Sequence, residues 1–360
     1  MITVIGGTKA TVRMKLMPPE RDIEKQRKQD EEALLQEYGK TLGEHPGKPE
    51  SEEDARFRRY YEAKMREQQS ASYWDDINFG MRDFGGYPPV DDQDTEILVD
   101  ISGCSYTVAK LLARRAEAGK VAFVSVVGDD AIGLAAIQDL QEAGVDVSGV
   151  RKVEGATPVS IEIRNIIGDL EFARGNNALA GMITPQLLEE NRQLLEQAEC
   201  IFVDGSLPVE TLRYVSDEFA DACPIYFDPA SIQGGVRFAD AGMKATCVMP
   251  GRMEAEAMSN QQVLGIQQLM EAGEAFEERG VKQTVITLIG GGVYHKEGSV
   301  ASIINPQRVL SFADTTGSGD VLSAELVYQL WQGASLAEAA QAAMDAVGET
   351  LKDVEDIMKY

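Results

Sequence analysis

An aspartate closing a glycine-rich loop is the pattern in this chain best suited to chemistry. The loop is Asp314-Thr315-Thr316-Gly317-Ser318-Gly319-Asp320. The apolar residues 309–313 before it read as a strand. Behind it, Val321, Leu322, Leu326, Val327 and Leu330 recur at helical spacing. The glycines therefore sit where a loop becomes a helix. Glycine lets the backbone turn sharply, and the unpaired N–H groups of a helix start point outward at the positive end of its dipole. Such a turn holds an anion. Asp320 makes no sense there as a ligand, because a carboxylate repels a phosphate. As a base it fits: it takes a proton from a hydroxyl while the amides of residues 317–320 hold the charge developing on a transferred phosphoryl group. An Asp at a helix head is also a common cap, and spacing alone leaves both roles open.

The elements that must position this loop follow a repeating order. Ile2-Thr3-Val4-Ile5 reads as a buried strand ending in the turn Gly6-Gly7-Thr8. Residues 96–101 are strand-like and lead through Ser102-Gly103-Cys104-Ser105-Tyr106-Thr107 into a helix that reaches about residue 118. Residues 120–127 form the next strand, and Asp129 and Asp130 favour the dipole of the helix after it, a structural role. Residues 157–164 and 169–173 read as strands joined by Ile167-Gly168, and a further strand covers residues 200–205. Glu254 falls in a helix first turn, where an acid is favourable in any case. Thr287 lies in an apolar strand that runs into Gly290-Gly291-Gly292. Strands alternating with amphipathic helices from Ile97 onward predict a mostly parallel sheet covered on both faces, with ligands beyond the carboxyl ends of the strands.

Composition narrows the possible partners. The 360 residues suffice for one large α/β domain or two smaller ones, and 44% apolar content supports a substantial core. A net charge of −25 argues against a nucleic-acid backbone or an anionic membrane as partner. The four cysteines are far apart and read as reduced core residues of a cytoplasmic protein. The two histidines, His45 and His295, read as surface residues, which leaves no His-based triad or metal site. No apolar run approaches the ~20 residues of a membrane span, and the apolar strand directly after Met1 does not read as a signal peptide.

Residues 18–94 break the pattern. About half of the stretch up to residue 70 is charged, with mixed signs, and residues 22–38 and 51–69 read as exposed helices joined by a Gly- and Pro-containing link. Tyr60, Tyr61, Tyr73, Trp74 and Phe79 border it, and such aromatics bury against a parent domain or a partner. The reading is a charged helical insertion on the surface, with a second subunit of a homodimer as one surface it would meet.

The loop resembles the Asp-Thr-x-Gly-Ala-Gly-Asp signature of the ribokinase-like (PfkB) carbohydrate kinases, with Ser318 in place of the usual Ala. The resemblance covers residues 2–17 and about 95–351. It implies a three-layer α/β sandwich with a mostly parallel central sheet and a small, modified lid, formed by residues 1–17 and 95–360 around the 18–94 insertion. It implies ATP-dependent phosphorylation of a hydroxymethyl group, with Asp320 as base and Gly317, Ser318 and Gly319 as the anion hole. Thr287, Gly290, Gly292 and Thr316 would meet the nucleotide, and Thr11, Ser102, Gly103 and Thr107 the sugar. Glu254 and Asp314 would serve Mg²⁺, and Asp314 with Thr316 a monovalent-cation (K⁺) site. Residues 169–208, 224–231 and 249–257 resemble the pseudouridine kinase branch, which implies a nucleoside or sugar acceptor of the pseudouridine type.

The pattern has departures. Thr11 stands where the family has an Asp that grips sugar hydroxyls, and a Thr cannot accept from two hydroxyls as a carboxylate does. Ser102 replaces a Gly, Thr107 an Asn, and Gly251 the Asn of the metal-handling element. Three of the four lie on the sugar side. A weakened or inactive relative that binds nucleotide and uses its insertion for protein contacts is thus the second reading. The intact Asp320 loop favours the active kinase.

Overall fold

A computed structural model of the chain describes residues 1–16, 95–164, 170–288, 292–306 and 317–357. In chain order the elements are β1 (Ile2–Ile5), β2 (Lys9–Leu16), β3 (Thr95–Ser102), α1 (Cys104–Arg115), β4 (Val121–Gly128), α2 (Ala131–Glu142), β5 (Asp146–Val153), β6 (Val159–Arg164) and β7 (Leu170–Gly175). Next come α3 (Pro185–Glu190), α4 (Arg192–Glu196), β8 (Cys200–Asp204), α5 (Val209–Phe219), β9 (Ile225–Asp228), α6 (Ile232–Ala241), β10 (Cys247–Val248) and α7 (Arg252–Ser259). The remainder is α8 (Ile266–Glu278), β11 (Gln283–Thr287), β12 (Val293–Glu297), β13 (Val300–Ile304), α9 (Ser318–Trp331) and α10 (Leu336–Ile357).

A strand with no polar face must be covered on both sides. All four residues of β1 are buried, and β1 lies inside a nine-stranded sheet of order β13-β12-β11-β10-β9-β8-β1-β4-β5. Every pair from β11 to β5 is parallel, and only the β11–β12 and β12–β13 pairs are antiparallel. Alternate residues feed two cores. On one face Ile5, Ile201 and Phe227 pack with side chains of α3 to α8. On the other, Ile2, Val4, Phe202 and Tyr226 pack with α1, α2, α9 and α10. The three layers follow from this division.

The alternation expected from Ile97 onward fails at its first strand. β3 pairs antiparallel with β2, and the two join β6 and β7 in a separate four-stranded sheet of order β3-β2-β6-β7. Its strands have mixed faces rather than continuous apolar runs: Arg13, on one face, pairs with Asp100 and Glu162. On the opposite face Ile97, Val99 and Ile161 are exposed. The β2–β3 register ends at Leu16↔Thr95, so the residues between them leave and rejoin the sheet at facing positions. Residues 18–94, with their expected helices, lie outside the described residues, as does the strand expected at 309–313.

His295 is not a surface residue. It lies buried in β12, between Val285 and Ser302 on the flanking strands, and burial lowers its pKa.

Candidate active site

Two glycines bring the first pieces together. Gly6 follows β1, and a side chain there would start 2.1 Å from the Ser105 hydroxyl and 2.6 Å from the Asp204 carboxylate. Gly103 precedes α1 with φ 127°, and a Cβ there would stand 2.5 Å from the Gly7 carbonyl. Only glycine fits either position. The Ser105 hydroxyl donates to the Ile5 carbonyl at 3.0 Å, which fixes the start of α1 against the end of β1.

The second piece is α9. Gly317 is its N-cap residue, in the left-handed conformation (φ 78°) and with no side-chain cap. Ser318, Gly319 and Asp320 therefore form its first turn, where amide N–H groups lack partners within the helix. Asp320 stands at the third helical position and is not the capping residue. Its carboxyl instead faces the Cys104 thiol and the Thr107 hydroxyl of α1, both of which favour its charged form. Further along, Arg115 of α1 pairs with Glu325 of α9 at 2.8 Å.

The electrostatics around Asp320 are unusual. Burial, and next the charge of Asp228, push Asp320 up to about 7 against the donors Cys104 and Thr107. Asp228 itself is pushed up to about 6, chiefly by burial. Burial and the neighbouring carboxylates raise Cys104, so its thiol keeps the proton that it donates. A carboxyl that titrates near neutrality is matched to taking a proton from an alcohol at pH 7.

Glu254 and Thr287 converge on Gly251. A Cβ at Gly251 would lie 2.6 Å from Oε2 of Glu254 and 3.3 Å from Oγ1 of Thr287, and Gly251 forms a parallel bridge to Thr287. The glycine that replaces the expected Asn thus leaves room for the Glu254 carboxylate. The buried Gly292 accepts from the Leu288 amide at 2.8 Å and closes the turn after β11. Glu254 also adds to the upward push on Asp228. Asp314, Thr316 and Gly290 lie outside the described residues.

On the lid side, Thr11, Ser102 and Ser160 are all buried, and the Thr11 hydroxyl shares hydrogen bonds with both serines, at 2.9 Å with Ser160. The Thr11 hydroxyl is thus already engaged with two other hydroxyls of the same sheet. Thr107 faces Asp320, and Gly103 carries the turn between lid and helix. Sequence reasoning missed Asp204, Asp228 and the Cys104 contact. The first two had a signal: each is an acid ending an apolar strand, at the edge where ligands bind in parallel sheets.

The family model for pfkB family carbohydrate kinases matches residues 80–352. The chain therefore belongs to the pfkB family of carbohydrate kinases and is a kinase of sugars or nucleosides. It is 25% identical to the pseudouridine kinase of Escherichia coli (strain K12) over 223 residues, 62% of this chain and 71% of that one. It is 28% identical to the uncharacterized sugar kinase YeiI of the same organism over 225 residues, and spans 62% of that protein's length. Ribokinase from Thermotoga maritima superposes with a TM-score of 0.65 at 18% identity, covering 100% of this chain and 99% of that one. The fold is thus ribokinase-like. Carbohydrate kinases of this family use ATP and a divalent metal. Among the described helices, none is long and apolar enough to cross a membrane.

Proposed function

We propose that this protein transfers the γ-phosphoryl group of ATP to the hydroxymethyl group of a nucleoside or sugar, with a pseudouridine-like acceptor favoured and Asp320 the general base. The observation that carries the reading is the Asp320 carboxyl. It sits in the turn whose amides suit an anion, faces Cys104 and Thr107 of another helix, and is pushed up to about 7, chiefly by burial. The acceptor oxygen attacks the γ-phosphorus and loses its proton to Asp320. The bond from that phosphorus to the bridging oxygen breaks, and ADP leaves. The amides of Gly317, Ser318, Gly319 and Asp320 hold the charge on the transferring group. Thr287 and Gly292 line the nucleotide side, and Gly103 and Thr107 the acceptor side.

The Glu254 carboxylate, free of a side chain at Gly251, suits a hard cation such as Mg²⁺, which binds through one or two carboxylates plus phosphates. When bound, Mg²⁺ offsets negative charge on the phosphate oxygens. Asp314 would share that role, and Asp314 with Thr316 is the place for K⁺. Residues 1–17 and 95–360 form the kinase domain, and 18–94 an insertion at the tip of the β2–β3 hairpin.

Pseudouridine is favoured by the resemblance of residues 169–208, 224–231 and 249–257 and by the similarity to a pseudouridine kinase. A weakened or inactive relative that binds nucleotide or a protein partner is the second reading, favoured by the Thr11–Ser102–Ser160 hydroxyl cluster. ATP consumption with pseudouridine, uridine, inosine and ribose decides between them. Asp320→Asn should lower turnover about 10²–10⁴-fold while ATP binding survives. An Asn variant as active as the wild type would sink the base assignment.

A further inference from the structure

Asp204 and Asp228 are register partners at the ends of neighbouring parallel strands, β8 and β9. They share the face of the sheet that carries α1 and α9, and are 1% and 8% exposed. Each divides its two oxygens in the same way. One oxygen folds back on its own turn: Asp204 Oδ1 accepts from the Ser206 amide and Asp228 Oδ1 from the Ala230 amide, both at 2.8 Å. The other crosses to a helix. Asp204 Oδ2 accepts from the Ser105 amide at 3.0 Å, in the first turn of α1. Asp228 Oδ2 accepts from the Ser323 hydroxyl at 2.7 Å, one turn beyond Asp320 on α9.

Two buried carboxylates side by side are costly, and apolar contacts could hold two helices on a sheet without them. The turn after Asp228 adds to the cost. Ala230 has φ 54°, and the backbone of Gly234 lies against the Pro229 carbonyl, where a Cβ would come within 1.9 Å. Strain of this kind persists where the surroundings fix one conformation, and here it fixes the direction of the Asp228 carboxylate.

We propose that Asp228 is a positioning residue for the base: through Ser323 it ties α9, one turn behind Asp320, to the end of β9, so that the Asp320 carboxyl meets Cys104, Thr107 and the acceptor hydroxyl at one fixed place. Asp204 does the same for α1 through the Ser105 amide. The inference rests on the reading of Asp320 as base. The ionisable groups facing Asp320 are Cys104 on α1 and Asp228 and Asp204 at the strand ends.

The test compares Ser323→Ala, Ser323→Thr, Asp228→Asn and Asp320→Asn in the full chain, at a temperature where circular dichroism shows each folded. Turnover is read with the acceptor that wild type phosphorylates fastest in the screen above. A second reading, which needs no acceptor, is the ¹³C titration of the Asp320 carboxyl. Ser323→Ala should lower kcat roughly 10–100-fold with little change in either KM, as a slightly misplaced group does, and Ser323→Thr should restore it. Asp228→Asn should lower kcat similarly and move the Asp320 midpoint to lower pH, because a negative neighbour is gone. Wild-type kcat in Ser323→Ala beside an inactive Asp320→Asn overturns this inference alone. An unmoved Asp320 midpoint in Asp228→Asn also counts against it. Full activity in Asp320→Asn overturns the base reading and this inference with it.

Discussion

The Thr107 side chain, in the first turn of α1, faces the Asp320 carboxyl, in the first turn of α9, and its hydroxyl favours the charged form of that acid. A donor to a carboxylate favours its charged form. Thr107→Val, which keeps the shape and removes the donor, should therefore raise the Asp320 pKa further. The acid limb of the kcat/KM–pH profile should move to higher pH, and activity at pH 7 should fall about tenfold. Thr107→Ser should restore both. An unshifted limb would show that the contact has no influence on proton transfer.

Stability should depend on pH with a definite sign. The pKa values of Asp320 and Asp228 are raised in the folded protein, to about 7 and about 6 from an ordinary 3.8. Between those limits the folded state binds more protons than the unfolded chain, so stability falls as pH rises. This part of the stability is fully present below about 3.8 and is lost by about pH 7. Scanning calorimetry without ligand should show Tm declining from pH 5 to pH 7.5, with a flatter slope in Asp228→Asn and Asp320→Asn.

Gly103→Ala should damage the fold as well as the site. The added Cβ would meet backbone, the Gly7 carbonyl oxygen at 2.5 Å, at a φ that L residues rarely adopt. A loss of about 2 kcal/mol or more is expected from urea unfolding. An unchanged midpoint would mean that β1 and α1 are not held as tightly as this contact requires.

Gly251→Ala should act differently, because its added Cβ meets the far end of a flexible side chain, Oε2 of Glu254 at 2.6 Å. The carboxylate can swing aside, so the change in stability should stay within about 1 kcal/mol. Displacing it should raise the Mg²⁺ concentration needed for half-maximal activity severalfold. A metal titration that superposes on wild type would remove Glu254 from the metal site.

The parallel sheet was legible because its strands are short apolar runs separated by amphipathic helices, a local pattern. Residues 2–5 read correctly as buried for that reason. The place of β3 in the second sheet was not legible: its sequence reads with the parallel run, and its antiparallel partner, β2, lies on the far side of residues 17–94. His295 was misplaced for a related reason. Its strand is covered on both faces, so alternation gives no hint of burial. In the site, the loop motif pointed to Asp320 directly. What surrounds it, Thr107 and Cys104 on one helix and Asp228 at the end of β9, comes from distant parts of the chain, as in the Ser323–Asp228 contact across 95 residues, and spacing does not encode that.

The hairpin that ends at Leu16↔Thr95 works as a socket. Its two contact points face each other across one rung of the ladder, so whatever joins them need not span any distance. The entropy of closing a loop grows only with the logarithm of its length, about 0.6 kcal/mol per doubling. The sheet is therefore nearly indifferent to the size of what is plugged in. A two-residue Asn-Gly turn or an entire reporter domain could be grafted between these positions, and a fluorescent graft would ride on the sheet that carries Thr11 and Ser160.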